Sequence, residues 1–125
     1  MRNTIRTVSE KIARGLSSKI LIPNFIDDFT RLLDHEQKLA LVSEPPIALK
    51  SMYLEAYLAA MTEYLCHRDG LTVPGWTQNK RYFLKEAHYA LGKKGSPISF
   101  VLLAESPVPF RRRNIFVSAN AMTRV

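Results

Sequence analysis

Apolar residues recur at helical spacing from residue 47 to residue 69, and they cover most faces of the helix that this spacing predicts. The widest stripe consists of Leu49, Met52, Tyr53, Ala56, Tyr57, Ala60, Met61, Tyr64 and Leu65. Only a narrow polar strip remains, made of Glu55, Thr62, Glu63 and Cys66. A helix that is apolar on most sides must be covered by neighbours on several sides. We therefore predict that residues 47–69 form the central helix of a compact helical domain, ending at Gly70.

Shorter helical patterns precede and follow this segment. The predicted helices run from Thr4 to Leu16, from an Asn24 N-cap after Pro23 to Leu33, from Asp34 to Val42, from Thr77 to about Leu91, from Ser96-Pro97 to Ser106, and from Ser118 to Arg124. Residues 108–117 alternate poorly and contain Pro109, which predicts an irregular or briefly extended segment. The fold class is all-α: one domain, residues 1–125, of five to seven helices around residues 47–69, with an irregular basic C-terminal segment.

The net charge of +7 is unevenly distributed along the chain. Residues 1–69 contain nine basic and nine acidic residues, whereas residues 70–125 contain nine basic residues and only Glu86 and Glu105 as acids. A one-sided excess of positive charge favours nucleic acid or an acidic protein surface as a partner and carries no information about the fold.

The cysteine content and the lengths of the apolar runs indicate the cellular compartment that suits the protein. The only cysteine, Cys66, has no second cysteine to pair with and is expected to be a small, partly buried residue, which fits a reducing cytoplasm. No apolar run approaches the roughly 20 residues that a membrane span needs, so no membrane association is expected. The first residues lack the apolar core of a secretory signal.

The arginine run Arg111-Arg112-Arg113 is the most unusual local feature, since Phe110 and Ile115-Phe116 flank it. Three adjacent guanidinium groups cannot all be buried without partners, so we expect them at the rim of the core. They bind an anionic partner, since arginine recognises phosphate and carboxylate in bidentate geometry. The alternative is that one or two of them bind helix C-termini or carboxylates of the protein itself. The internal candidates are Glu55, Glu63 and Glu105.

Two lysines precede the helix predicted to start at Ser96. Lys93 and Lys94 lie in a Gly-Lys-Lys-Gly loop, next to a helix start whose free N–H groups favour anions. The loop lacks the spacing of a nucleotide-binding P-loop, and lysines that simply face water are the alternative interpretation.

Catalytic and metal-binding patterns are sparse. Arg81 and His88, with six residues between them, match the arginine-to-histidine spacing of HEPN-type ribonucleases, a class of small helical RNA-cleaving domains; the alternative is that this spacing arises by chance. The spacing of His35, Cys66, His67 and His88 does not suit metal ligation, so we expect neither a metal nor a cofactor.

Two passages resemble a family of small bacterial proteins of unknown biochemistry. The first is Val73-Pro-Gly-Trp-Thr-Gln, continuing to Arg81-Tyr-Phe-Leu-Lys-Glu, and the second is the tail from Leu103 to Ser118 with its Phe-Arg-Arg-Arg-Asn-Ile-Phe sequence. Members of that family pair a proline–tryptophan segment with a terminal FRRRxIF-type sequence, sometimes behind a helix-turn-helix, and often appear near toxin–antitoxin-type genes. The resemblance covers roughly the second half of the chain. It departs at Ala87 and His88, where relatives have proline and tryptophan.

Three functions follow as hypotheses. The leading one is a non-enzymatic, antitoxin-like or regulatory binding protein whose basic second half contacts an acidic protein partner or nucleic acid. The second is a structural interaction subunit, as an oligomer, whose arginines hold only its own fold. The third is a small RNA-cleaving enzyme that uses Arg81 and His88.

Overall fold

The computed structural model describes residues 2–90, 95–118, 121 and 122. It confirms an all-α domain, in which the described residues form six α-helices, two short 3₁₀ helices and one pair of two-residue strands. The α-helices are α1 (Ile5–Ala13), α2 (Ser18–Arg31), α3 (His35–Val42), α4 (Met52–Arg68), α5 (Pro97–Glu105) and α6 (Val108–Arg111). The 3₁₀ helices are Gly75–Gln78 and Lys80–Tyr82, and the strands are β1 (His88–Tyr89) and β2 (Ile115–Phe116).

Helix α4 is the central helix, as predicted, but it begins five residues later than the apolar pattern indicated. Ser51 is the N-cap, and its side chain accepts a hydrogen bond from the backbone N–H of Leu54. The preceding segment is not helical because its N–H groups have other partners. Ile47 donates to the hydroxyl of Ser9, and Leu49 donates to the carboxylate of Glu55.

The end of α4 matches the prediction. Gly70 has a positive φ of 71°, and the N–H of Leu71 donates to the carbonyl of Cys66 over 2.8 Å. This is the bond pattern by which a glycine reverses the chain and satisfies the last carbonyls of a helix.

The polar strip of α4 is buried together with its apolar stripe. All four residues of the strip, Glu55, Thr62, Glu63 and Cys66, are buried, and none of them is more than 3% exposed. Helices α1 and α2 contribute Ile5, Val8, Phe25 and Phe29 to the same core. Helix α6 and the two 3₁₀ helices also pack against α4. The carboxylates of α4 must therefore find partners inside the protein.

The prediction that α2 begins after an Asn24 N-cap is wrong, because the helix begins at Ser18 and passes through Pro23. Proline removes one backbone hydrogen bond at this point. The buried residues Leu21, Ile22, Phe25, Ile26 and Phe29 continue one helical stripe across it. Burial of that stripe outweighs the lost bond.

The first and third helices agree with the sequence at their starts. A reciprocal pair of hydrogen bonds between Thr4 and Thr7 caps α1, and the side chain of Asp34 caps α3. Helix α1 ends at Ala13 rather than at Leu16, because the chain turns at Gly15, where φ is 98°. Leu16 is therefore half-exposed.

The predicted helix from Thr77 to Leu91 is wrong. The two 3₁₀ helices occupy its first part, and the chain then extends into β1, which pairs in parallel with β2. Thr77 is buried, and its hydroxyl donates to the carbonyl of Pro74 instead of capping a helix. Trp76 anchors the turn, since its indole N–H donates to the carbonyl of Val42 over 2.8 Å.

The C-terminal part agrees with the prediction more closely. Ser96 caps α5 and Pro97 is its first residue, as predicted. Residues 108–117 contain the short helix α6 before the extended β2, so the expectation of an irregular segment is wrong for its first four residues. The predicted helix from Ser118 to Arg124 lies largely outside the described residues.

Met61 is fully buried on α4, whereas Met52, on the first turn of the same helix, is 62% exposed. We expect Met61→Asp to unfold the protein, because it places an uncompensated charge in the core. Met52→Asp is the matched control and should melt as the wild type does, since an acidic residue suits the start of a helix. Thermal melts by circular dichroism test this, and a soluble, cooperatively melting Met61→Asp variant would contradict the fold.

Asp69 should make the stability of the protein depend on acid pH. Hydrogen bonds from Arg68 and Lys38 lower the pKa of Asp69 from 3.8 to about 2. A depressed pKa means that the carboxylate stabilises the folded state above pH 3.8 and loses that effect as the pH falls towards about 2. Asp69→Asn should cost on the order of 1 kcal/mol at neutral pH and flatten the loss over that interval. Urea unfolding across the same pH range tests this, and parallel profiles for both proteins would contradict it.

Candidate anion-binding site

Arg113 lies in the turn after α6 and is fully buried. One of its nitrogens, Nη2, lies 2.9 Å from a carboxylate oxygen of Glu63 and donates to the carbonyl of Thr77 over 2.8 Å. The other, Nη1, donates to the carbonyl of Pro109 over 2.8 Å. Burial lowers the pKa of Arg113, and Glu63 opposes that shift. This guanidinium has no exposed surface with which to contact a partner.

Glu63 receives two further side chains. Arg112 Nη1 lies 3.0 and 3.1 Å from its two carboxylate oxygens, and Gln78 donates over 3.0 Å. Burial alone would raise the pKa of Glu63, but the hydrogen bonds from Gln78, Arg113 and Arg112 and the charge of Arg113 hold that pKa below its ordinary value. Glu63 is therefore an ionised internal anchor for the arginine run.

Arg111 differs from the other two members of the run. It is exposed, and its side chain has no ion pair among the described residues. Of the two interpretations of the run, internal pairing describes Arg112 and Arg113. Contact with an anionic partner stays a prediction, and Arg111 is the member that is free to make it.

A second set of basic residues borders an open groove on the surface. This groove, called here the basic groove, has a volume of about 660 Å³. Its lining residues are Met52, Lys80, Arg81, Phe83, Leu84, Lys85, Glu86, Ala87 and His88. Lys80 and Lys85 are exposed, and neither has an ion pair among the described residues. Glu86 is the one exposed acid in the lining.

Arg81 is held at the edge of the basic groove by Glu55. Its Nε and Nη2 both lie 2.9 Å from the same carboxylate oxygen, while the other oxygen of Glu55 accepts the N–H of Leu49. The Glu55 side chain is 4% exposed and the Arg81 side chain is 50% exposed. The carboxylate is thus screened from the groove, and the guanidinium keeps Nη1 available to a ligand.

Asn114 shapes the loop that carries Lys85. It adopts a positive φ of 63°, its carbonyl accepts the N–H of His88 over 2.8 Å, and its side-chain amide donates to the carbonyl of Leu84 over 2.7 Å. One residue therefore fixes both ends of the segment between Leu84 and His88. Asparagine tolerates this left-handed conformation better than most residues.

His88 is exposed at the end of the groove, and its ring stacks on Tyr53 with the centroids 3.7 Å apart and the planes inclined by 22°. Partial burial lowers the pKa of His88, which favours a neutral imidazole at pH 7. Arg81 and His88, the predicted catalytic pair, thus line the same groove. Arg81 is bonded to Glu55, and His88 is packed on Tyr53.

The remaining sequence predictions have mixed outcomes. Lys93 and Lys94 lie outside the described residues. Cys66 is buried, and burial raises its pKa to about 11, so its thiol stays protonated at neutral pH. Within the described part of the chain, no group of three or more His, Cys, Asp or Glu side chains could hold a metal ion.

No helix among the described residues is long and apolar enough to cross a membrane.

No family model, no curated protein and no solved structure matches this chain. The resemblance of the second half to small bacterial proteins stays a prediction. The case for function therefore depends on the geometry of this molecule.

Sequence reasoning missed Lys80 and Lys85 as groove residues because it assigned a helix to residues 77–91. The signal that was available is local. Asn79 disfavours a helix interior, and the Pro74-Gly75 turn lies shortly before it. The pairing of the arginine run with Glu63 was among the predicted alternatives, whereas Glu55, also named for the run, pairs with Arg81 instead. Glu55 and Glu63 lie eight positions apart on the same strip of α4.

Glu63 and Arg111 give opposite expectations for stability. Glu63→Gln leaves the buried Arg113 without a counter-charge and should cost about 3–5 kcal/mol of unfolding free energy. Arg111→Gln, the matched control within the run, should change it by less than about 0.5 kcal/mol. Chemical denaturation measures both. A loss of unfolding free energy in Glu63→Gln as small as that in Arg111→Gln would show that the buried pair does not hold the fold.

Proposed function

We propose that the protein is a non-enzymatic binding protein, antitoxin-like or regulatory in role, that holds an anionic macromolecule in the basic groove. The observation that carries the proposal is the division of the basic residues. Arg112 and Arg113 are bonded to Glu63, whereas Lys80 and Lys85 are exposed at one groove without ion pairs among the described residues. Unpaired cations around a concave surface attract anions and raise their rate of encounter.

The partner is either nucleic acid or an acidic protein surface, because both present closely spaced anions. A pre-oriented guanidinium such as that of Arg81 can donate to phosphate or carboxylate. A free, buried Cys66 is compatible with a reducing compartment, which supports the cytoplasm as the place of action.

Two other functions give different results in the same assays. A structural subunit, acting as an oligomer, needs no anionic ligand and should bind none. A ribonuclease that uses Arg81 and His88 should cleave labelled RNA. The shared groove supports this reaction as the second candidate, since a histidine that transfers protons and an arginine that stabilises the charge of the phosphate must lie at one site.

Lys80→Gln combined with Lys85→Gln tests the proposal directly. Both side chains are exposed, so the double variant should melt as the wild type does but bind a labelled single-stranded oligonucleotide or an acidic peptide more weakly. For the oligonucleotide, the slope of log affinity against log salt should fall by about 0.7 for each phosphate that the variant no longer neutralises. Fluorescence anisotropy at several salt concentrations measures this, with Arg111→Gln as a further single variant.

The matched control combines Arg14→Gln with Arg31→Gln, which removes the same charge from exposed positions outside the groove. It should keep most of the affinity. Equal losses in both double variants would mean that net charge alone drives binding, and no binding of either probe by the wild type would refute the proposed function. Loss of full-length RNA in the wild type, but not in His88→Ala, would instead establish the enzyme.

A further inference from the structure

His88 is exposed, yet both its backbone and its ring are held in place. The backbone of His88 is part of β1, which pairs with β2, and the backbone N–H of His88 donates to the carbonyl of Asn114. The ring of His88 stacks on Tyr53, and Tyr53 makes an edge contact with Tyr57, with the ring centroids 5.9 Å apart. Tyr57 in turn contacts the fully buried Phe110 at 5.1 Å. A column of four rings therefore connects the groove to the core.

The outer face of this column is an aromatic surface beside cations. His88 is exposed and lines the basic groove together with Lys80, Arg81 and Lys85. Because Tyr53 covers one face of the imidazole, a planar ligand can stack on the opposite face. Proteins that bind single-stranded nucleic acid combine these same two features, a positive groove for the phosphates and flat rings for the bases.

The geometry does not suit a duplex. A double helix is read in its major groove by a protruding α-helix or two-stranded ribbon. The free cations here lie on a 3₁₀ helix and on the loop between Leu84 and His88, and they border a concave surface. An acidic protein would use the cations but leave the stacking face of His88 without a role.

We infer that the basic groove binds single-stranded nucleic acid, with phosphates on Lys80, Arg81 and Lys85 and one base stacked on His88. This inference rests on the proposed function and names its ligand. The stacked base also gives little sequence preference, because every base has an aromatic face.

The test compares three variants on one labelled DNA strand of about 12 nucleotides, a length within the usual site sizes of single-strand binding domains. His88→Ala removes the platform and should weaken binding by about tenfold. His88→Phe keeps a flat ring without the imidazole nitrogens and should stay within about twofold of the wild type. His67→Ala, an exposed histidine outside the groove, is the matched control and should bind as the wild type does. DNA is used because it lacks the 2′-hydroxyl that RNA cleavage requires.

Circular dichroism melts establish that all three variants are folded at the assay temperature. Stacking has its own signature, since a base over the imidazole shifts the ring-proton resonances of His88 upfield in the complex. The same strand in duplex form and a polyglutamate peptide serve as unlabelled competitors. Each should displace the labelled single strand less effectively than the unlabelled single strand does.

The contrary outcomes separate the two proposals. Equal affinity for single strand, duplex and polyglutamate, or unchanged binding by His88→Ala, would overturn the single-strand inference while leaving an anion-binding groove. Loss of binding in both His88→Ala and His88→Phe would overturn the stacking role by showing that the imidazole nitrogens are needed. No binding of any of the three probes would overturn the proposed function as well.

Discussion

The ion pair between Glu63 and Arg113 is the interaction on which the second half of this fold depends. Both side chains are almost completely buried, so each would be costly inside the protein without the other. The guanidinium also bonds to the carbonyls of Thr77 and Pro109, and so joins α4, the first 3₁₀ helix and α6 at one point. Removal of either partner would leave the other charge buried and unpaired, so the pair constrains how these elements meet.

The basic residues of the second half have two different roles. Arg81, Arg112 and Arg113 neutralise the two carboxylates of α4. Arg112 and Arg113 also make cation–π contacts with Phe83, with their Cζ atoms 5.2 and 4.6 Å from the centre of its ring. Lys80, Lys85 and Arg111 are exposed and have no ion pair among the described residues. Net charge counts both sets alike, although only the exposed groups, including the half-exposed Arg81, can contact a partner.

The sequence predicted the elements whose signals are local and strong. The apolar stripe of α4, its glycine stop and the Ser96-Pro97 start of α5 all follow from spacing and capping chemistry. The start of α2 was missed because a long buried stripe overrode the proline. The strand pair was missed because two-residue strands leave no periodic signal, and its partners are contributed by residues far apart in the chain. The candidate site was predicted only in part: Arg81 and His88 were named, while the lysines beside them were assigned to a helix that does not exist.

The docking of α5 has a consequence for the groove at the other end of the strand pair. Ser106, directly after α5, accepts the N–H of Val117, and its one hydroxyl proton lies within hydrogen-bond reach of the carbonyls of Leu102 and Val117, which ties α5 to the residue that follows β2. Asn114, which fixes the loop bearing Lys85, lies only three residues before Val117. Residues 114–117 thus carry both the bonds to the end of α5 and the bonds that hold the groove loop. A ligand that requires the formed groove therefore favours the state in which this segment is in place, and the end of α5 shares in that stabilisation without touching the ligand.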